Sequence, residues 1–306
     1  MNLFLKNIVF NKHIKYKRYN IKFLNSIVNF ALQKSFSEVL NVTKPIFLDK
    51  NNNLNINKFG IKIYSQNDED GIILYILKHI GVKTKKFIEI GVENGTECNT
   101  TNLLKNFNWK GMQIEGSKRL YNDAKIQLKK VLGKKIKNLK LLNSFVTKEN
   151  INKIIKKNLE SDIYSEKDID LLSIDIDGND FWIWEKINCI EPRLVIIEYN
   201  SFFGPELSCT IPYNPKFIWD HKNKRSYYGA SLKALEKLGR QKKYTLVGVD
   251  GNGVNAFFIR NDLAKNINIK SKKTKDVFID NKREARKYSQ YLTWCSKVLL
   301  EDLIKI

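Results

Sequence analysis

The chain has 306 residues, with 54 Lys and Arg against 32 Asp and Glu, for a formal charge of +22. That length supports one large α/β domain with additions, or two modest domains, with a real core. The excess charge is mostly Lys, scattered among abundant Asn and Ile, and reads as solvated surface rather than a nucleic-acid face. Cys98, Cys189, Cys209 and Cys295 stand far apart with no C-x-x-C pair, which excludes a zinc ribbon and a disulfide framework and fits a reducing cytoplasm. No apolar run approaches the roughly 18 residues of a membrane span, and Lys6 and Asn7 interrupt MNLFLKNIVF before a signal-peptide core could form.

Residues 1–60 read as a basic N-terminal extension and linker. Lys6, Lys12, Lys15, Lys17, Arg18, Lys22 and Lys34 are interleaved with apolar residues that keep no helical period, and no acidic residue precedes Glu38. Such an arm suits docking on its own domain or peripheral contact with an anionic membrane. Order is expected from YSQNDEDGIILYILKHIG, a helix with Asn67 as its cap, Asp68, Glu69 and Asp70 in its first turn and Gly81 at its end. Ile72, Ile73, Ile76, Leu77 and Ile80 would form its buried face.

Short apolar strands then alternate with helices. Strands are expected at 87–90, 111–115, 139–142, 171–176 and 194–198, and helices near 99–107, 119–131, 148–159 and 181–187. Alternation with fully apolar strands predicts a parallel sheet covered on both faces. A last unit follows: a helix near 231–242, then YTLVGV, the turn DGNG and VNAFFIR, a hairpin whose final strand must run antiparallel to its neighbour. The folded domain is placed at 61–262, with a basic helical extension over 263–306.

In such sheets ligands bind beyond the carboxyl ends of the strands, where strand order reverses. FIEIGVENGTE stands there. Gly91 and Gly95 permit a tight turn and close backbone approach to a ligand. The third glycine of the dinucleotide pattern is missing, Glu89 and Glu93 would repel a pyrophosphate, and no Gly-Lys-Ser/Thr follows. A ligand with a cationic centre and no phosphate fits better. S-adenosylmethionine carries a sulfonium and an ammonium, and Glu115, ending the second strand in GMQIEGS, stands where an acidic residue accepts both ribose hydroxyls.

The motifs YSQNDEDGIILYIL, FIEIGVENGTECNTTNLL, MQIEGS, LLSIDIDGNDFWIW, LVIIEYN and GVNAFFIR, taken in order over about residues 62–262, resemble the FkbM-like branch of the class I S-adenosylmethionine-dependent methyltransferases. The resemblance implies a Rossmann-like seven-stranded, mostly parallel sheet with an antiparallel last strand and helices on both faces. It implies that Glu89, Gly91 and Gly95 surround the methionine moiety, that Glu115 holds the ribose, and that Asn143 and Phe145 lie where adenine binds. It also implies O-methylation of a hydroxyl on a saccharide, such as a surface glycan or its precursor, or on a similar polyol.

Methyl transfer to a hydroxyl needs alignment and a proton acceptor. SIDIDGND brings Asp175 and Asp177 to one side of the fourth strand's end with Asp180 a turn on, and IIEYN brings Glu198 and Asn200 to the adjacent end. Asp175, Asp177 and Glu198 are a ligand set for Mg²⁺, with Asp175 also beside the cofactor. Without a metal, Asp177 or His221 would be the base, since His13 and His79 lie in the arm and in a packed helix. His221 falls in a connection from Asn200 to Tyr228 that is rich in Pro and aromatic residues, long enough to be a binding loop or lid. An RNA methyltransferase, prompted by the charge, and a non-catalytic binding module on the same fold are the competing readings.

Overall fold

The computed structural model describes residues 56–159, 168–220, 226–266, 271–281 and 303–306. The strands are β1 (Lys86–Ile90), β2 (Lys110–Glu115), β3 (Leu139–Asn143), β4 (Asp168–Ile174), β5 (Glu191–Glu198), β6 (Cys209–Thr210), β7 (Tyr244–Val249), β8 (Asn255–Arg260) and β9 (Ile304–Lys305). The helices are α1 (Glu69–Ile80), α2 (Thr101–Phe107), α3 (Lys118–Leu132), α4 (Ile151–Leu159), α5 (Asp180–Lys186), α6 (Leu232–Gln241), α7 (Asn261–Asn266) and α8 (Thr274–Val277).

Seven strands form one sheet in the order β3-β2-β1-β4-β5-β8-β7. β1 through β5 pair in parallel, whereas β8 runs antiparallel to both β5 and β7. This is a Rossmann-like sheet with an antiparallel closing strand, the expected hairpin folded back so that β8 slots between β5 and β7. Order reverses between β1 and β4, so the strand ends there diverge and leave room for a ligand.

Alternation along the strands sorts the core into two layers. Ile88, Ile90, Val195 and Ile197 face Ile151, Ile155, Phe181, Trp184 and Leu235, from α4, α5 and α6. Phe87, Leu171, Leu194 and Ile196 face Ile72, Ile76, Leu103 and Leu128, from α1, α2 and α3. Opposite faces of each inner strand are therefore apolar, which is why these strands read as continuous apolar runs. Asp170, fully buried at the far end of the sheet, accepts from the backbone N–H of Lys83, Thr84 and Lys85 and pairs with Arg193, so it fixes the entry into β1.

The start of α1 differs from the expectation. Asn67 does not cap the helix; its Oδ1 accepts from Asn252 Nδ2 in the β7–β8 turn, and its N–H and amide donate to Glu69. Glu69 is not a solvated dipole partner but a fully buried one that also accepts from Asn255. Asp70 accepts from the N–H groups of Ile63, Tyr64 and Ser65. The acids of NDED are thus spent on folding the preceding segment over the sheet and tying it to the hairpin turn. Ile56 is buried against Gly248, and Phe59 stacks on Tyr75 at 3.9 Å, so residues 56–60 pack on the domain rather than lead up to it. At the other end β9 pairs with β6. Residues 1–55, and most of 263–306, lie outside the described residues. Among those described, no helix is long and apolar enough to cross a membrane.

Candidate functional site

The loop after β1 is held from three sides. Gly91 donates to Ile114 O of β2, Asp175 N donates to Ile90 O, and Gly95 donates to Val92 O. Gly91, Glu93 and Gly95 all adopt positive φ. Beside the tight turn that their positive φ provides, internal packing gives a second reason for the two glycines. A Cβ on Gly91 would fall on the carbonyl oxygen of Asp175, and one on Gly95 would meet Ala124 and Leu128 of α3 at 3.0–3.1 Å. Glu89 is occupied as well: its carboxylate accepts from Asn99 N, Thr100 N, Thr100 Oγ1 and Gln113 Nε2. Burial raises its pKa while these bonds oppose the shift. Glu89 therefore shapes the loop and the entry to α2, and would act on a ligand through them.

Glu115 closes β2 with its carboxylate turned to the same loop. Oε2 accepts from Glu93 N at 2.9 Å and Oε1 from Ser117 N at 2.7 Å, while Ser117 caps α3 by accepting from Leu120 N. Burial, with a further contribution from the charge of Glu93, raises its pKa. Asn143 reaches back from β3, donating to Glu115 O and Gly116 O. Its amide thus locks the ends of β2 and β3 together. Phe145 lies across Gly116, where an added Cβ would come within 3.1 Å of the ring, yet 43% of it is exposed. An exposed aromatic face beside a strand-end carboxylate is a platform for a planar ring.

Beyond β4 and β5 three more carboxyls converge. Asp175, Asp177 and Glu198 each place an oxygen within 4.8 Å of the others. Asp177 adopts a left-handed backbone at φ 54°. Burial and the neighbouring carboxylates push Asp177 up to about 7 and raise Asp175 and Glu198 well above the usual range. Among the described residues none of the three pairs with Lys or Arg, and Glu198 Oε2 is buried without a hydrogen-bond partner. Asp180 and Asn200 do not join them. Asp180 accepts from Ile176 N and Gly178 N and so shapes the turn, and Asn200 is spent bracing Phe202 N, Ser226 O and Tyr228 O.

The long connection after β5 lies over this cluster. Phe217 packs on Gly178, Asn179 donates to Asn214 O, and Trp182 donates to Ile211 O. Tyr228 is a site residue the sequence did not single out. Burial and the charges of Glu198, Asp177 and Asp175 hold its phenol protonated well above the ordinary range. Its buried phenol therefore lies within electrostatic reach of the acidic cluster, although only its place in an aromatic-rich loop hinted at it. Ile218 stands 79% exposed beside Phe217 and Trp219. His221 lies outside the described residues.

The chain is similar in structure to several methyltransferases. The N-terminal domain of EvdMO1 with SAH bound is 10% identical over 74% of this chain and 95% of that one, with a TM-score of 0.41. The O-methyltransferase from Bacillus cereus in complex with SAH is 12% identical over 77% and 96%, at 0.39. The methyltransferase domain of bacterial CtHen1 is 17% identical over 63% and 97%, also at 0.39. No protein-family model and no curated protein matches the chain.

Proposed function

We propose that the protein is an S-adenosylmethionine-dependent O-methyltransferase of the FkbM-like branch, acting on a hydroxyl of a saccharide or similar polyol. One observation carries this reading: Glu93, Glu115, Asp175 and Asp177 act on one another as like charges around a glycine loop at the switch point of the sheet. Such a field disfavours the pyrophosphate of a dinucleotide and favours a ligand carrying a sulfonium and an ammonium. Glu115 would accept the ribose hydroxyls with the lone pairs left by Glu93 N and Ser117 N, and Phe145 would stack on adenine. Gly91, Gly95, Glu89 and Asn143 would serve by holding that frame, and Asp175 would sit nearest the methionine end.

In the reaction the acceptor oxygen forms a bond to the methyl carbon as the carbon–sulfur bond breaks, and the electron pair stays on sulfur. The hydroxyl proton passes to a carboxylate of the cluster, for which Asp177, with its pKa about 7, is matched to neutral pH. The aromatic side chains of the long connection suit the apolar face of a sugar ring. The test is transfer of a labelled methyl group from S-adenosylmethionine to a panel of mono- and oligosaccharides. Labelled saccharide with equimolar S-adenosylhomocysteine is the expected result. Labelled RNA and unlabelled sugars would replace the acceptor class, and no transfer to either, with the cofactor bound, would favour a binding module.

A further inference from the structure

We propose that Asp175, Asp177 and Glu198 hold one divalent cation of the Mg²⁺ type, which presents the acceptor hydroxyl to the methyl donor. The proposal rests on the methyltransferase reading for its chemistry, though not for the cation site itself. The three oxygens lie within 4.8 Å of one another, and oxygen pairs around a Mg²⁺ or Ca²⁺ ion stand roughly 3 to 5 Å apart. Glu198 supplies the independent sign of a ligand. It is only 7% exposed, its Oε2 is buried without a hydrogen-bond partner, and the side chain its carboxyl bonds to is Asp175, itself an acid that brings no positive charge. A carboxylate oxygen left so in an interior is costly unless something positive meets it.

Protein donors do not fill that need. Among the described residues no Lys or Arg pairs with the cluster, and the donors nearest in sequence, Ile176 N and Gly178 N, are taken by Asp180. Asp180 thereby stays out of the ligand set and shapes the turn from which Asp177 projects. All three donors are hard carboxylate oxygens, a set that suits Mg²⁺, Mn²⁺ or Ca²⁺ rather than a soft metal. Three carboxylates against one divalent ion leave a residual negative charge, so the site stays attractive to a sulfonium. The cation is also correctly placed, because Asp175 carries it at the end of β4 while its carbonyl packs on Gly91 of the cofactor loop.

A hydroxyl bound to the cation loses its proton more readily. That proton passes to a carboxylate oxygen that does not touch the cation and then to solvent. The alkoxide forms the new carbon–oxygen bond as the carbon–sulfur pair leaves with sulfur.

The experiment is calorimetric titration of the full chain, stripped with EDTA, with MnCl₂ and separately with S-adenosylhomocysteine. One Mn²⁺ per chain is expected, displaced by Mg²⁺. Glu198→Gln and Asp177→Asn should each weaken Mn²⁺ by about tenfold or more, since ligand charge sets affinity, while the adenosylhomocysteine affinity of Glu198→Gln, which lies outside the cofactor's field, stays within about twofold. Glu198→Gln is isosteric and removes an unsatisfied carboxylate, so it keeps the fold. No saturable Mn²⁺ binding by the wild type at millimolar concentrations would overturn the proposal. So would equal binding by both variants. Failure of the methyltransferase reading has a different signature, Mn²⁺ binding intact with no response to adenosylhomocysteine.

Discussion

Glu115→Ala separates a ligand contact from a structural one. In the ligand-free chain the carboxylate holds Glu93 N at 2.9 Å and Ser117 N at 2.7 Å, bonds that fasten the glycine loop and the start of α3. Both N–H groups can turn to water after truncation, so the loss should be about 1–2 kcal/mol of stability. Hydrogen bonds from ribose to a carboxylate are worth about 1.5–3 kcal/mol, or roughly 10- to 150-fold in affinity. Loosening of the loop would add to that figure, so affinity alone cannot assign the contact. A cycle does so: adenosylhomocysteine and its 2′-deoxy analogue are titrated calorimetrically into wild type and variant. The wild type should discriminate against the deoxy ligand and Glu115→Ala should not. Equal discrimination by both proteins would refute the ribose contact and leave Glu115 as a clamp on the loop.

Gly91→Ala should cost about 3 kcal/mol or prevent folding, because the methyl group would strike the Asp175 carbonyl and φ is 82°; an unchanged urea midpoint would contradict the packing described. Phe145→Ala should leave the urea midpoint nearly unchanged, since the ring is exposed, but weaken adenosylhomocysteine at least about fivefold if adenine stacks there. Burial lifts Asp70 to about 6, and burial with the charge of Glu69 lifts Asp250 to about 7. For both, the folded pKa exceeds the unfolded one, so their contribution is present below about pH 4 and lost as pH rises through about 6 to 7. The ligand-free chain should therefore resist urea better near pH 5 than near pH 8, and Asp250→Asn should flatten that slope; a wild type more stable at the higher pH would contradict it.

The sheet was legible because its inner strands are apolar on both faces, and the closing hairpin because DGNG between two strands admits little else. The end of β2 placed Glu115 correctly, since the position of a strand's last residue follows from the strand itself. What the sequence hid were partners far apart along the chain. Glu69 meets Asn255 and Asn67 meets Asn252, so acids that read as helix-dipole partners are buried instead. Glu89 and Asn200 likewise carry the right chemistry for a ligand but spend it on backbone and side chains brought in from neighbouring loops. Asp175, Asp177 and Glu198 were recognisable as a group from their strand ends, whereas the exclusion of Asp180 depends on a turn only two to four residues wide. The pairing of β6 with β9 joins two-residue strands from distant parts of the chain, too short for any periodicity to reveal.

Titration of the full chain with S-adenosylhomocysteine, alongside NADH, tests the central claim most directly. Saturable binding of one adenosylhomocysteine per chain, with no response to NADH, is the predicted result. Tight binding of NADH with no response to adenosylhomocysteine would contradict it, because the carboxylates around the glycine loop would then be tolerating the pyrophosphate they should repel.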